Sequence, residues 1–158
     1  MRNRVLFIGY GNPGRLDDGL GPACAEAIER MAIPGVTVDA DYQLAVETAA
    51  AVAQHGFVVF ADASVDGPEP FAFHPVHPAA QGTFSTHIVE PEDVMGMARD
   101  LFQAKAKGYA FAIRGYAFHD FGEALSDKAL QNLTAGLSFI APVLQNCLFD
   151  TAVIPRAR

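Results

Sequence analysis

The chain has 158 residues, enough for a single domain spanning 1–158 with its own core, since domains cluster around roughly 100–150 residues. With 51% apolar and 18% charged residues and no low-complexity tract, the composition excludes a disordered chain. A formal net charge of −7 and 11 scattered Lys and Arg leave no basic stripe to neutralise phosphates, which argues against nucleic acid as a partner.

Met1-Arg2-Asn3-Arg4 leads straight into Val5-Leu6-Phe7-Ile8-Gly9, a short apolar run that reads as a strand buried on both faces. The run is too short for a signal-peptide core, and no later stretch approaches a membrane span, so a cytoplasmic protein is expected. Leu20, Cys24, Ala27, Ile28 and Met31 recur at helical spacing, with Pro22 in the first turn, and Pro34-Gly35 breaks that helix. Val36 to Ala40 reads as a second strand, Ala45 to Gln54 as an alanine-rich helix, and Phe57 to Ala61 as a third strand running into Asp62. Pro70 to His74 is expected as an antiparallel edge strand, because no helix separates it from the third. Glu90 to Phe102 reads as a helix, Gly108 to Ile113 as the last strand, Ser126 to Leu148 as a long helix with Ser126 as N-cap, and Ala152 to Arg158 as a loose tail. Alternating strands and helices of this kind predict a three-layer α/β/α sandwich with a mostly parallel sheet and one antiparallel edge strand, a phosphorylase/hydrolase-like arrangement. All parallel strands then end along one sheet edge.

The segment Phe7 to Gly21, FIGYGNPGRLDDGLG, carries two conflicting signals. Gly9-x-Gly11-x-x-Gly14 between a strand and a helix has the outward form of a dinucleotide fingerprint. A pyrophosphate needs a turn that enters the helix at once, whereas Pro13, Arg15, Leu16, Asp17 and Asp18 intervene, and the two carboxylates would repel it. The same glycines resemble the Gly-x-Gly-Asn-Pro-Gly turn of bacterial peptidyl-tRNA hydrolases. That family's general-base histidine has no counterpart here, since no histidine occurs before His55.

The aspartates make more sense beside two other places. Asp62 ends the third strand and His87 lies in the loop Ser85-Thr86-His87, so Asp18, Asp62 and His87 are expected on one sheet edge. Two carboxylates and an imidazole suit a borderline divalent metal such as nickel or zinc, with coordination positions left open. Asp17 is expected to cap the first helix. Taken singly, Asp62 also fits the start of an Asx turn, and His87 a solvated loop histidine.

The blocks together resemble the maturation endopeptidases of nickel–iron hydrogenases over nearly the whole chain. The opening strand and its Gly-x-Gly-Asn turn with an acid pair match Gly9 to Gly21. Gln43-Leu44 and Glu47, Asp62-Ala63, Thr86-His87, and Gly122, Glu123, Leu125 and Ser126 follow in the family's order. The resemblance implies that Asp18, Asp62 and His87 are the nickel-contacting catalytic residues, with Gln43 and Glu47 near the substrate. It further implies a protease that removes the C-terminal extension of the precursor of a nickel–iron hydrogenase large subunit. Nickel then arrives with the substrate rather than residing in the enzyme. No Ser-His-Asp, Cys-His or His-Glu-x-x-His pattern suggests a standard protease class.

A nickel-sensing protein of the same fold that binds a partner without cutting it is the competing reading, with peptidyl-tRNA hydrolysis the remaining enzyme alternative. His74 and His77, flanked by prolines, are expected in an exposed extended loop, and His119 on a surface loop. Cys24 and Cys147 lack metal-ligand spacing and read as buried thiols, and a monomer is expected.

Overall fold

The computed structural model describes residues 4–80 and 88–155. Five strands, β1 (Val5–Tyr10), β2 (Val36–Asp41), β3 (Phe57–Ser64), β4 (Phe71–Val76) and β5 (Lys107–Arg114), form one sheet in the order β2-β1-β3-β5-β4. β1, β2, β3 and β5 are parallel and β4 runs antiparallel to β5 at the edge, as expected. The helices are α1 (Leu20–Met31), α2 (Val46–Val52), α3 (Pro91–Phe102), α4 (Asp127–Asn146) and the short α5 (Phe149–Ala152).

The alternation of side chains along the strands divides the core between two faces. Phe7, Val59, Phe73, Phe111 and Ile113 pack against Leu20, Cys24 and Ile28 of α1 and Ile140 and Leu144 of α4. Leu6, Ile8, Val58 and Phe60 pack against Ala49 and Val52 of α2 and Val94 and Met95 of α3. Burial pushes the Cys24 thiol up to about 12, which leaves it an inert core group, whereas Cys147 is only half-buried at the left-handed residue that ends α4.

The described part of the expected loose tail is held in place, Ala152 and Val153 packing against the core just after the short α5. Phe149 is buried and its ring stacks on Phe57 and Tyr109, the Tyr109 hydroxyl donates to Asp150, and the Ile154 N–H donates to the Phe73 carbonyl at 2.9 Å. His74 lies on β4, as the expected edge strand Pro70 to His74 had it, and not in an exposed loop, while His77 just beyond the strand is exposed. Pro75, exposed on this edge strand, occupies a place where a missing donor costs no ladder bond.

β1 connects to β2 on one side and the chain then returns to place β3 on the other, so the strand order reverses between β1 and β3. In open α/β sheets the crevice at such a reversal, beyond the carboxyl ends of the strands, is where ligands bind.

Candidate active site

Tyr10 ends β1 at that crevice, and the next residues fold back tightly. Gly11 takes a φ of +139°, which a side chain would strain, and a Cβ there would strike the carbonyl of Asp18. The Asn12 side-chain carbonyl accepts from Gly14 N–H at 2.8 Å, and the Asn12 N–H donates to Asp18 Oδ2 at 2.8 Å. The glycine turn and the acid pair are therefore one device, because the turn's own backbone holds the Asp18 carboxylate. Gly21, in the first turn of α1, lies against the carbonyls of Tyr10 and Ala61, so the helix start sits directly on the ends of β1 and β3.

The two aspartates of the pair have separate tasks. Asp17 does not cap α1: no side chain caps that helix, and Asp17 is fully buried. Its Oδ1 accepts from Ser126 N–H at 2.8 Å, and its Oδ2 accepts from Tyr116 N–H at 2.8 Å, Ala117 N–H at 2.9 Å and the Ser126 hydroxyl at 2.7 Å. Burial pushes its pKa up, but the bonds from Ser126, Ala117 and Tyr116 outweigh that and hold it below the ordinary carboxylate value. Asp17 thus ties the acid-bearing turn, a short 3-10 segment at Leu16–Gly19, to the loop between β5 and α4. Backbone bonds reinforce the tie, from Leu16 N–H to the Gly122 carbonyl and from Gly122 N–H to the Gly14 carbonyl, each 2.8 Å. Ser126 caps α4 as expected, its hydroxyl accepting from Ala129 N–H at 3.3 Å.

Asp62 lies within β3 rather than after it, since the strand continues to Ser64. It faces Ala112 of β5 in register, and its Oδ1 accepts from Ala63 N–H at 2.7 Å. Burial raises its pKa to about 7; the charges of Asp18 and Glu90 push the same way, while the bonds from Ala63 N–H and the Tyr10 hydroxyl oppose. Tyr10 is held far above the ordinary tyrosine value, first by burial and then by the charge of Asp62, so it remains a neutral donor. An open cleft of about 640 Å³ reaches this group, lined among others by Tyr10, Asp62, Ser64, Asp66, Glu90 and Glu92.

Asp18 and Asp62 are thus brought together, close enough for one to shift the other. His87 lies outside the described residues, and among the described residues no three His, Cys, Asp or Glu side chains converge as a metal site. Gln43, in the β2–α2 connection, and Glu47, in the first turn of α2, are exposed and absent from the residues lining the Asp62 cleft. His119 is exposed in the loop before α4. Tyr10 and Glu90 were not singled out by the sequence; the available signal was their position, one closing a strand on the active edge and the other preceding the Pro91 that opens α3.

The pair can do two kinds of chemistry. Two carboxylates whose charges act on one another favour a divalent cation near them, and a carboxyl group raised toward neutrality can carry a proton.

No protein-family model matches the chain, and no curated protein matches it. Solved structures do. A nickel–iron hydrogenase maturation protease, HycI, from Thermococcus kodakarensis KOD1 superposes with a TM-score of 0.71 at 22% identity, covering 91% of this chain and 94% of that one. The hydrogenase maturating endopeptidase HybD from E. coli gives 0.69 at 17% identity, over 91% and 93%. A hydrogenase 2 maturation peptidase from Thaumarchaeota archaeon SCGC_AB-539-E09 gives 0.65 at 19% identity, over 89% and 97%. The chain therefore has, over about nine-tenths of its length, the fold of the solved hydrogenase maturation proteases.

Proposed function

We propose that this chain is an endopeptidase that removes the C-terminal extension from the precursor of a nickel–iron hydrogenase large subunit after nickel has been inserted. The observation that carries the reading is the pairing of Asp18 with Asp62 at the strand-order reversal, within the fold shared with hydrogenase maturation proteases. The absence of a Ser-His-Asp or Cys-His pattern in the sequence is consistent with carboxylate-based rather than nucleophilic cleavage.

Nickel enters this account as cargo of the precursor. The donors present fit it: two carboxylates whose charges oppose one another gain from a cation between them, and His87 would add an imidazole. A divalent ion there supplies a Lewis acid for the scissile carbonyl or for a water. Asp18, fixed by Asn12 N–H, and Asp62, fixed by Ala63 N–H, orient the precursor's metal-bearing end. Tyr10 holds the Asp62 carboxylate and donates without ionising. Before the precursor arrives, burial holds the Asp62 carboxyl up at about 7, and a bound cation would release its proton and keep it ionised as a ligand. The protein acts in the cytoplasm as a monomer, with no nucleic acid or membrane partner; among the described residues no helix is long and apolar enough to cross a membrane.

Alanine at Asp18, Asp62 or His87 should leave a nickel-loaded precursor at full length on a denaturing gel, whereas alanine at Gln43 or Glu47 should lower the rate without abolishing cleavage. Trimming at wild-type rate by all three of the first variants would remove the site assignment. A stable complex with no shortened product would favour the non-cleaving nickel sensor.

A further inference from the structure

The Asp62 cleft does not end at β3. A second cavity of about 850 Å³ shares Ser64, Asp66 and Ala112 with it and continues across the sheet to β4. The register explains the groove. Asp62 stands beside Ala112 of β5, and Ala112 beside Ala72 of β4, so the three share one face and two of them present only a methyl group. The segment from Asp66 to Pro70 forms one wall, the start of α3 at Glu90 and Glu92 stands at the end next to Asp62, and Ile154 and Pro155 stand at the far end. From β3 to β4 the floor crosses two strand spacings, about 10 Å, the length of about three extended residues.

The lining is acidic. Asp66, Glu90 and Glu92 border the groove with Asp62, His74 lines it beside Ala72, Glu69 is turned to Lys128 at 3.2 Å, and no Lys or Arg lines either cavity among the described residues, although Arg114 donates to the Gly67 carbonyl of the wall at 2.7 Å. We propose that this groove seats the first residues of the precursor's extension, on the released side of the cut bond, as an extended segment with small and cationic side chains. The assignment rests on the protease reading given above. A groove that begins at Asp62 and is bounded at Ile154 has room for a free tail, while the folded, metal-bearing body on the other side of the bond must remain outside it. Cationic side chains complement the groove's sign, and small ones fit over the Ala112–Ala72 floor.

Groove occupancy can be read without catalysis. The full isotope-labelled chain is titrated, in proton–nitrogen correlation spectra, with a capped hexapeptide of alternating alanine and lysine and then with one of alternating alanine and glutamate. The lysine peptide is expected to shift the amides of Ser64, Gly67, Ala72 and Ala112, and the glutamate peptide to leave them in place. Ala72→Phe should abolish the shifts, and Asp66→Lys, a change at an exposed position, should weaken binding about fivefold while the rest of the spectrum stays that of the folded chain. Absence of shifts at those amides, equal shifts from both peptides, or wild-type binding by Asp66→Lys and Ala72→Phe would overturn the proposal. Failure of the wild-type chain to cut a nickel-loaded precursor would overturn the protease reading and leave these spectra unchanged.

Discussion

Exchanging Asp17 and Asp18 one at a time for asparagine separates support from chemistry within two adjacent residues. Asp17 receives four hydrogen bonds in a fully buried setting, three from backbone N–H groups and one from the Ser126 hydroxyl. An asparagine has one carbonyl oxygen, so even in its better orientation, keeping the three donors at the Oδ2 position, its amide faces the Ser126 N–H and leaves it without an acceptor. One orphaned buried donor costs about 1–3 kcal/mol, and the remaining bonds lose their charge assistance, for a total of about 3–5 kcal/mol. In a chain of this size each kcal/mol moves the melting temperature by about 2–4 °C, so Asp17→Asn should melt about 6–20 °C below wild type. Asp18→Asn keeps an oxygen for the bond from Asn12 N–H, the one side-chain bond of Asp18 among the described residues, and relieves the repulsion with Asp62, so it should melt within about 2 °C of wild type or above it. Because Asp17 is held below the ordinary carboxylate pKa, its contribution is present above that value and disappears as pH falls through its folded pKa, so the Asp17→Asn deficit should shrink in acid. Calorimetry at neutral pH, with urea unfolding to check that the slope is unchanged, measures both variants. An Asp17→Asn protein that melts with wild type, or an Asp18→Asn protein that melts far below it, would refute this division of labour.

Asp62 gives the opposite pH signature. Its folded pKa, about 7, lies above the ordinary value of 3.8, so the fold favours its neutral form and this group's contribution declines as pH rises from about 4 through about 7. Asp62→Asn should therefore equal wild type in stability near pH 4 and exceed it by about 1–3 kcal/mol at pH 8, measured by urea unfolding of metal-free protein; a constant difference across that range would sink the shifted titration. Gly21→Ala should destabilise the chain by about 3 kcal/mol or more, because its Cβ would lie 2.7 Å from the Ala61 carbonyl oxygen and nearer still to that of Tyr10, both backbone atoms. A melting temperature unchanged by Gly21→Ala would show that the helix start is not in contact with the strand ends.

The placing of Asp18 and Asp62 on one sheet edge was legible because both lie near the carboxyl ends of parallel strands, Asp18 after β1 and Asp62 among the last residues of β3, and parallel order follows from alternating strands and helices. The role of Asp17 was not legible, since its partners Tyr116 and Ser126 lie 99 and 109 residues away and no periodicity connects them. A local rule, an acid ahead of a helix, supplied the capping expectation in their place. The described part of the expected tail was misread for a related reason: Ala152 and Val153 pack against the core and Ile154 N–H bonds to the Phe73 carbonyl, contacts with distant residues that the tail's own sequence does not announce. Reading Asp62 as a residue beyond its strand underestimated the continuation of β3 to Ser64, and that continuation places Asp62 in register with Ala112 and opens the groove toward β4.

The central claim is cleavage, and intact-mass measurement over a time course tests it directly. Wild-type chain mixed with a nickel-loaded large-subunit precursor should convert it to a product lighter by one C-terminal peptide, with that peptide recovered in equal amount, while Asp62→Ala leaves the precursor mass unchanged. A precursor that keeps its full mass with the wild-type chain, or one that shortens equally with Asp62→Ala, would contradict the account.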